Sequence, residues 1–129
     1  DPQAYDEVLR LAQRYEFAGV EMKARLLRAL AQSRRGDTAG AAAQVRLLVA
    51  RLPQVQPADL YPGEAWWIAA RVFDANGDDD DALMALAHGM QWVRRKALPQ
   101  VPDPFRESFL QRNASNRALL AAADRRLGR

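Results

Sequence analysis

The residues with the most obvious chemical potential form one acidic run, Asp74-Ala75-Asn76-Gly77-Asp78-Asp79-Asp80-Asp81. Carboxylates spaced around a glycine are what a calcium loop needs. The spacing fails: counted from Asp74, the loop glycine would have to stand at Asp79 and the bidentate acid at Ala85. The run reads instead as a turn followed by an acid-rich helix start, where the helix dipole favours negative charge. His88 is the single histidine, mid-helix between Met84 and Trp92, and reads as a packed or half-exposed structural residue rather than a catalytic base. No serine has a second partner with which to build a nucleophile, and the chain has no cysteine for thiolate chemistry or a cysteine-ligated zinc. The expectation is therefore a non-enzymatic chain with no metal and no cofactor. A catalytic or ATPase domain upstream in a parent protein is compatible with that.

Recognition is the other chemistry on offer. Trp66 and Trp67 are adjacent, so on a helix they point about 100° apart and cannot both face one layer. If Trp66 packs inside its hairpin, Trp67 faces the inner, concave surface with Glu64, three residues before it, and Arg71, four after it. An aromatic beside an arginine is a plausible peptide anchor, so Glu64, Trp67 and Arg71 are the candidate partner-binding groove. The alternative is that neighbouring helices cover Trp67 and make it core. Asn113-Ala114-Ser115 matches a glycosylation triplet, but a turn and helix cap account for it. Arg106, Arg112, Arg117, Arg125, Arg126 and Arg129 make the C-terminal stretch the most basic part. Nucleic acid is not the expected partner, because no aromatic-interleaved basic stripe or recognition-helix pattern accompanies these arginines.

The elements that must position these residues are helical. The 129 residues include 25 Ala, 16 Leu and 17 Arg, and hydrophobic residues reach 49%. Such a composition excludes disordered and collagen-like chains and favours helix. The net charge of +3 fits a solvated arginine-rich surface. No apolar run approaches the roughly 18 residues of a membrane span, and no basic-then-apolar leader opens the chain. Asp1 caps a first helix over 2–16, carrying Tyr5, Val8, Leu11, Ala12 and Tyr15. Gly19 interrupts, and a second helix carries Val20, Met22, Leu26, Leu27 and Leu30 to Gly36. A third runs from Thr38 to Leu52, a fourth from Pro62 to Gly77, and a fifth from the acidic run to Leu98. After a proline-rich loop, Phe105 to Arg112 makes a short sixth helix. Asn113 to Asn116 is turn-like, and a seventh helix ends at Leu127. No segment alternates over strand length, so no sheet is expected.

Two Gly-Asp pairs, Gly36-Asp37 and Gly77-Asp78, lie 41 residues apart, each between two long helices. The glycine can take positive φ to close one helix, and the aspartate can accept backbone N–H groups at the next. Ala41 and Ala82 follow as small residues, then Val45 and Leu86 as apolar ones. Trp66, Ala70 and Phe73 precede the second pair. At these residues the chain resembles the tetratricopeptide repeat (TPR). Ala69 departs from the family's leucine and Gly89 from its alanine, and Arg94 stands at the usual terminal proline. In the earlier unit Arg25 and Arg28 fall where large apolar residues belong, as if one residue had been gained or lost before Gly36. The segment Phe105 to Ala123 is similar to the tail that follows such repeats in large bacterial regulators, including ATPase-type transcriptional regulators and cyclase- or kinase-linked proteins.

The resemblance implies an all-α, TPR-like stack of antiparallel hairpins, a right-handed superhelix of about seven helices. One domain over 1–129 is expected, with repeat-like units at 20–53 and 62–98 and flanking caps at 2–16 and 104–127. Opening on Asp1 rather than Met, the chain reads as a fragment of a longer protein. The implied function is a protein-interaction or regulatory module of a cytoplasmic bacterial signalling or transcription-control protein, binding a protein, a peptide or other domains of its parent and no membrane. The fragment could also form a homodimer through its first helix. The alternative is small-molecule sensing that controls an attached effector domain.

Overall fold

A computed structural model of the chain describes residues 2–14, 18–54 and 60–128. Among these residues the chain is all-helical, with seven α-helices and no strand. They are α1 (Pro2–Arg14), α2 (Ala18–Arg34), α3 (Thr38–Arg51), α4 (Pro62–Ala75), α5 (Asp79–Gln91), α6 (Arg106–Arg112) and α7 (Ala114–Leu127). Asp1 and Tyr15, expected in the first helix, lie outside the described residues, as does most of the loop after Pro53.

The chain reverses at Gly36 and Gly77 for the expected reason. Both glycines have positive φ, +106° and +76°. At the first, the Gly36 N–H donates to Ser33 O and the Asp37 N–H to Gln32 O. At the second, the Gly77 N–H donates to Asp74 O and the Asp78 N–H to Phe73 O. This pair of bonds satisfies the last carbonyls of each helix and aims the chain back along it. Asp37 then caps α3 by accepting from the Gly40 N–H at 3.0 Å. Asp78 was expected to cap α5 in the same way and does not; its side chain accepts from Asn76 and Arg46 instead.

Four other boundaries differ from expectation. Gly19 does not interrupt a helix; it is buried in the first turn of α2. The fifth helix is α-helical only to Gln91 and widens to a π-helix over Trp92–Ala97. Asn113 is not the start of a four-residue turn. It is the cap of α7, accepting from the Asn116 N–H at 3.0 Å. The short sixth helix begins at Arg106, after a 3-10 turn at Asp103–Phe105.

Helix α4 is the centre of the packing, in contact with α5, α2, α3 and α7. α1 covers α2, and α6 packs on α7. Phe73, Leu26, Ile68, Leu86 and Leu119 are wholly buried, each worth about 1.5–3 kcal/mol of burial. Gly89 allows the closest approach. A Cβ there would lie 2.9 Å from Trp66 Cβ on α4 and from both Leu119 methyls on α7. Alanine at this position would wedge three helices apart. On the outer side of α1, Val8 and Leu11 remain exposed.

The buried faces explain the register problem in the first unit. Leu26, Ala29, Leu30 and Ser33 are buried on α2, and Trp66, Ala69, Ala70 and Phe73 on α4. Each pair is 40 residues apart, whereas the glycines are 41 apart. One residue therefore separates the two helices in phase, which rotates Arg25 and Arg28 off the buried stripe. Both become surface ion-pair partners, Arg25 of Glu21 and Arg28 of Asp6.

Candidate functional site

The three candidate residues sit together on the side of α4 that meets α2. The Arg71 guanidinium lies over the Trp67 ring, 5.3 Å from its centroid. Trp67 is neither free nor fully core: it is half-buried and packs against the apolar cluster. Glu64 is bonded across the helix pair to Lys23 of α2 at 2.9 Å. The opposing stripe of α2 is Lys23, Leu27, Leu30 and Arg34, at helical spacing for one face.

The electrostatics of this face are uneven. At one end, Lys23 and Glu64 neutralise each other. At the other, Arg71 and Arg34 have no carboxylate in hydrogen-bond contact among the described residues. The Arg71 Nε is buried and makes no hydrogen bond. Burial pulls the Arg71 guanidinium below its ordinary value, Arg34 pushes the same way, and Glu64 opposes them. A partly buried guanidinium thus lies beside an aromatic ring with the exposed like charge of Arg34 acting on it, an arrangement that a bound carboxylate would relieve. Sequence reasoning found Glu64, Trp67 and Arg71 from one helix. It missed Lys23 and Arg34, because pairing α2 with α4 face to face requires the tertiary arrangement.

The acidic run does something else. Asp74 receives Arg126 of α7 at 2.6 Å. Asp78 and Asp81 share Arg46 of α3, at 2.9 and 3.0 Å. The hydrogen bond to Asp81 is the largest influence raising the Arg46 pKa. Arginines from the helices on either side thus answer these carboxylates. Among the described residues, no group of three or more His, Cys, Asp or Glu is placed to hold a metal ion.

His88 is exposed on one side, and on the other it stacks on Trp66 with centroids 4.6 Å apart and planes 13° apart. Of the two structural placements open to it, packed or half-exposed, the histidine takes the exposed one, laid over a buried aromatic. Both rings belong to the wall of a 430 Å³ pocket between the end of α3, the start of α4 and the π-helical end of α5.

No family model, curated protein or solved structure matches this chain. The site must therefore be read from its own geometry. Among the described residues, no helix is long and apolar enough to cross a membrane. Tyr61 meets Trp92 of the pocket wall edge to face and is itself bonded to Asn116. The Tyr61 hydroxyl donates to Asn116 Oδ1 at 2.7 Å, and the wholly buried Asn116 donates to Phe109 O at 3.1 Å. Burial pushes the Tyr61 phenol up, against a smaller lowering by Asn116.

Proposed function

We propose that this chain is a non-catalytic protein-interaction and regulatory module. In this reading it is a TPR-like stack whose α2/α4 face takes an acidic peptide segment. The observation that carries the reading is the Arg71 guanidinium, with its unbonded buried Nε, lying over Trp67 and beside the like charge of Arg34. A peptide carboxylate supplies the missing acceptor, and an apolar neighbour on the peptide packs on Trp67 and Leu27. Lys23 and Glu64 hold the two helices at a fixed spacing. The Gly-Asp turns and the small residues Ala41, Ala70 and Ala82, all wholly buried, support the repeat reading. The likeness of Phe105 to Ala123 to the tails of bacterial regulators supports a place in a cytoplasmic signalling or transcription-control protein.

Fluorescence anisotropy of dye-labelled peptides tests this. A Glu/Asp-rich peptide with one central leucine should bind, and its Lys-for-Glu counterpart should not. Arg71→Met keeps the stem over Trp67 and should weaken binding about tenfold or more, the scale of a lost charged hydrogen bond. Trp67→Ala should also weaken binding while the domain stays folded. Equal binding of the two peptides, or binding unchanged in Arg71→Met, overturns the reading. So does a Trp67→Ala variant that unfolds with a loss of about 3–5 kcal/mol, which would make Trp67 core.

A further inference from the structure

The 430 Å³ pocket lies apart from the α2/α4 face, and its walls are chemically distinctive. Its volume falls within the range of small-molecule sites, about 300–1,000 Å³. Leu52, Pro53, Leu60 and Pro62 form its apolar side. The opposite side is a single stripe on α5 and its π-helical extension: His88, Gln91, Trp92, Arg95 and Lys96. These positions follow the three-and-four spacing that normally buries an apolar helix face. Here the stripe begins with aromatic rings and ends with two cations.

The rings are held in place by others. His88 lies flat on Trp66, and Trp92 meets Tyr61 edge to face at 4.9 Å. The cations are not held. Arg94, one residue earlier, pairs with Asp124 of α7. Arg95 and Lys96 are exposed and form no ion pair among the described residues. Among the described residues, none that lines the pocket is acidic. Two positive charges, without an ion pair among the described residues, therefore stand at one end of a ring-lined cavity.

We propose that this pocket binds a small planar organic anion, an aromatic or heteroaromatic ring carrying one carboxylate or phosphate. The ring lies against His88 and Trp92, where face-on or edge-on contact is worth about 0.5–1.5 kcal/mol beyond its buried area. The anion meets Arg95 and Lys96, and Gln91 donates to it from the same stripe. A neutral ring leaves both cations unanswered, and a bare inorganic anion leaves the apolar wall unfilled. The pocket thus selects for both features in one molecule. It would make the module responsive to a small ligand at a place separate from the α2/α4 face, so the inference stands independently of the peptide reading.

The test uses the whole chain with 1-naphthoate, 1-naphthyl phosphate, 1-naphthylmethanol and inorganic phosphate as probes. Calorimetry and thermal shift should show binding of naphthoate or naphthyl phosphate at millimolar affinity or tighter. Comparing these two probes decides which anion is preferred. Naphthylmethanol and inorganic phosphate should bind at least about tenfold more weakly. Arg95→Gln with Lys96→Gln should weaken aryl-anion binding by a similar factor, with the unliganded Tm unchanged because both side chains are exposed. The charge-matched pair Arg112→Gln with Arg117→Gln should leave the affinity intact. Two-dimensional NMR should show the His88 ring protons shifting on titration. The proposal is overturned by no aryl-anion binding, by equal affinity for naphthylmethanol, by equal losses in the two double variants, or by unshifted His88 resonances.

Discussion

At Gly36 and Gly77 the backbone turns in the same way, but the two aspartates that follow face different neighbours. Asp37 looks inward: it accepts from Gln32 of the helix before it and from the Gly40 amide of the helix after it. Asp78 looks across: it accepts from Arg46 on the preceding hairpin. The first aspartate closes its own hairpin, and the second joins two hairpins. The difference follows from what is within reach. A guanidinium brings a full positive charge to the bond, which a neutral amide does not, and Asp78 has that of Arg46 within reach. The same turn therefore serves local closure in one place and stacking in the other. Burial differs in parallel. The α4 stripe ends on a wholly buried Phe73, while the matching place on α2 holds Ser33.

The largest effect should come from that end of the stripe. Phe73→Ala should cost about 3–5 kcal/mol, because removing a wholly buried ring leaves a cavity in the core. Ser33→Ala should cost no more than about 1 kcal/mol, the net worth of one hydrogen bond. Urea unfolding of both variants measures the contrast. Similar losses would mean that the two hairpins are energetically equivalent despite their different cores.

Much of this was legible in the chain itself. The turn glycines, Ala41, Ala82, Val45 and Leu86 could be placed because helix closure and close approach restrict residue type at fixed offsets. The register slip before Gly36 was visible as two arginines at apolar positions. The structure adds that the buried stripe moves as one unit to Leu26, Ala29 and Leu30. Lys23 and Arg34 were not legible as partners of the α4 residues, since long-range pairing leaves no local periodicity. Nor was the use of Asp78. Its local pattern is that of a cap, and only the position of Arg46, 32 residues earlier, redirects it. The four-residue spacing of His88 and Trp92 was legible, but their joining with Gln91, Arg95 and Lys96 at one pocket was not.

The turn glycines test the part that the two regions share. Gly36→Ala and Gly77→Ala should each cost about 1–2 kcal/mol, the penalty for an L-residue in the left-handed region. A Cβ at either position would meet nothing within 4 Å, so the cost is backbone conformation alone. Thermal unfolding of the two variants should therefore show comparable shifts, however unlike their hairpins are. A loss at one site and none at the other would show that the backbones are not equivalent in solution.

The smallest effect separates the aspartates by pH and salt. Hydrogen bonds from Gln32 and then from the Gly40 amide hold the Asp37 carboxyl below its ordinary value, against a small opposing effect of burial. Its folded pKa thus lies below its unfolded one. Its contribution to stability is present above the ordinary carboxylate pKa and is lost as pH falls through the lowered one. Asp37→Asn keeps an acceptor for the Gly40 amide but cannot titrate. The acid limb of a Tm-against-pH curve should therefore be shallower in Asp37→Asn than in the parent chain. Asp78→Asn should act differently, weakening a surface pair with Arg46 that salt already screens, so its deficit should shrink as ionic strength rises. If Asp37→Asn leaves the acid limb unchanged, or the Asp78→Asn deficit ignores salt, local closure and cross-hairpin pairing are not the distinct roles assigned to the two turns.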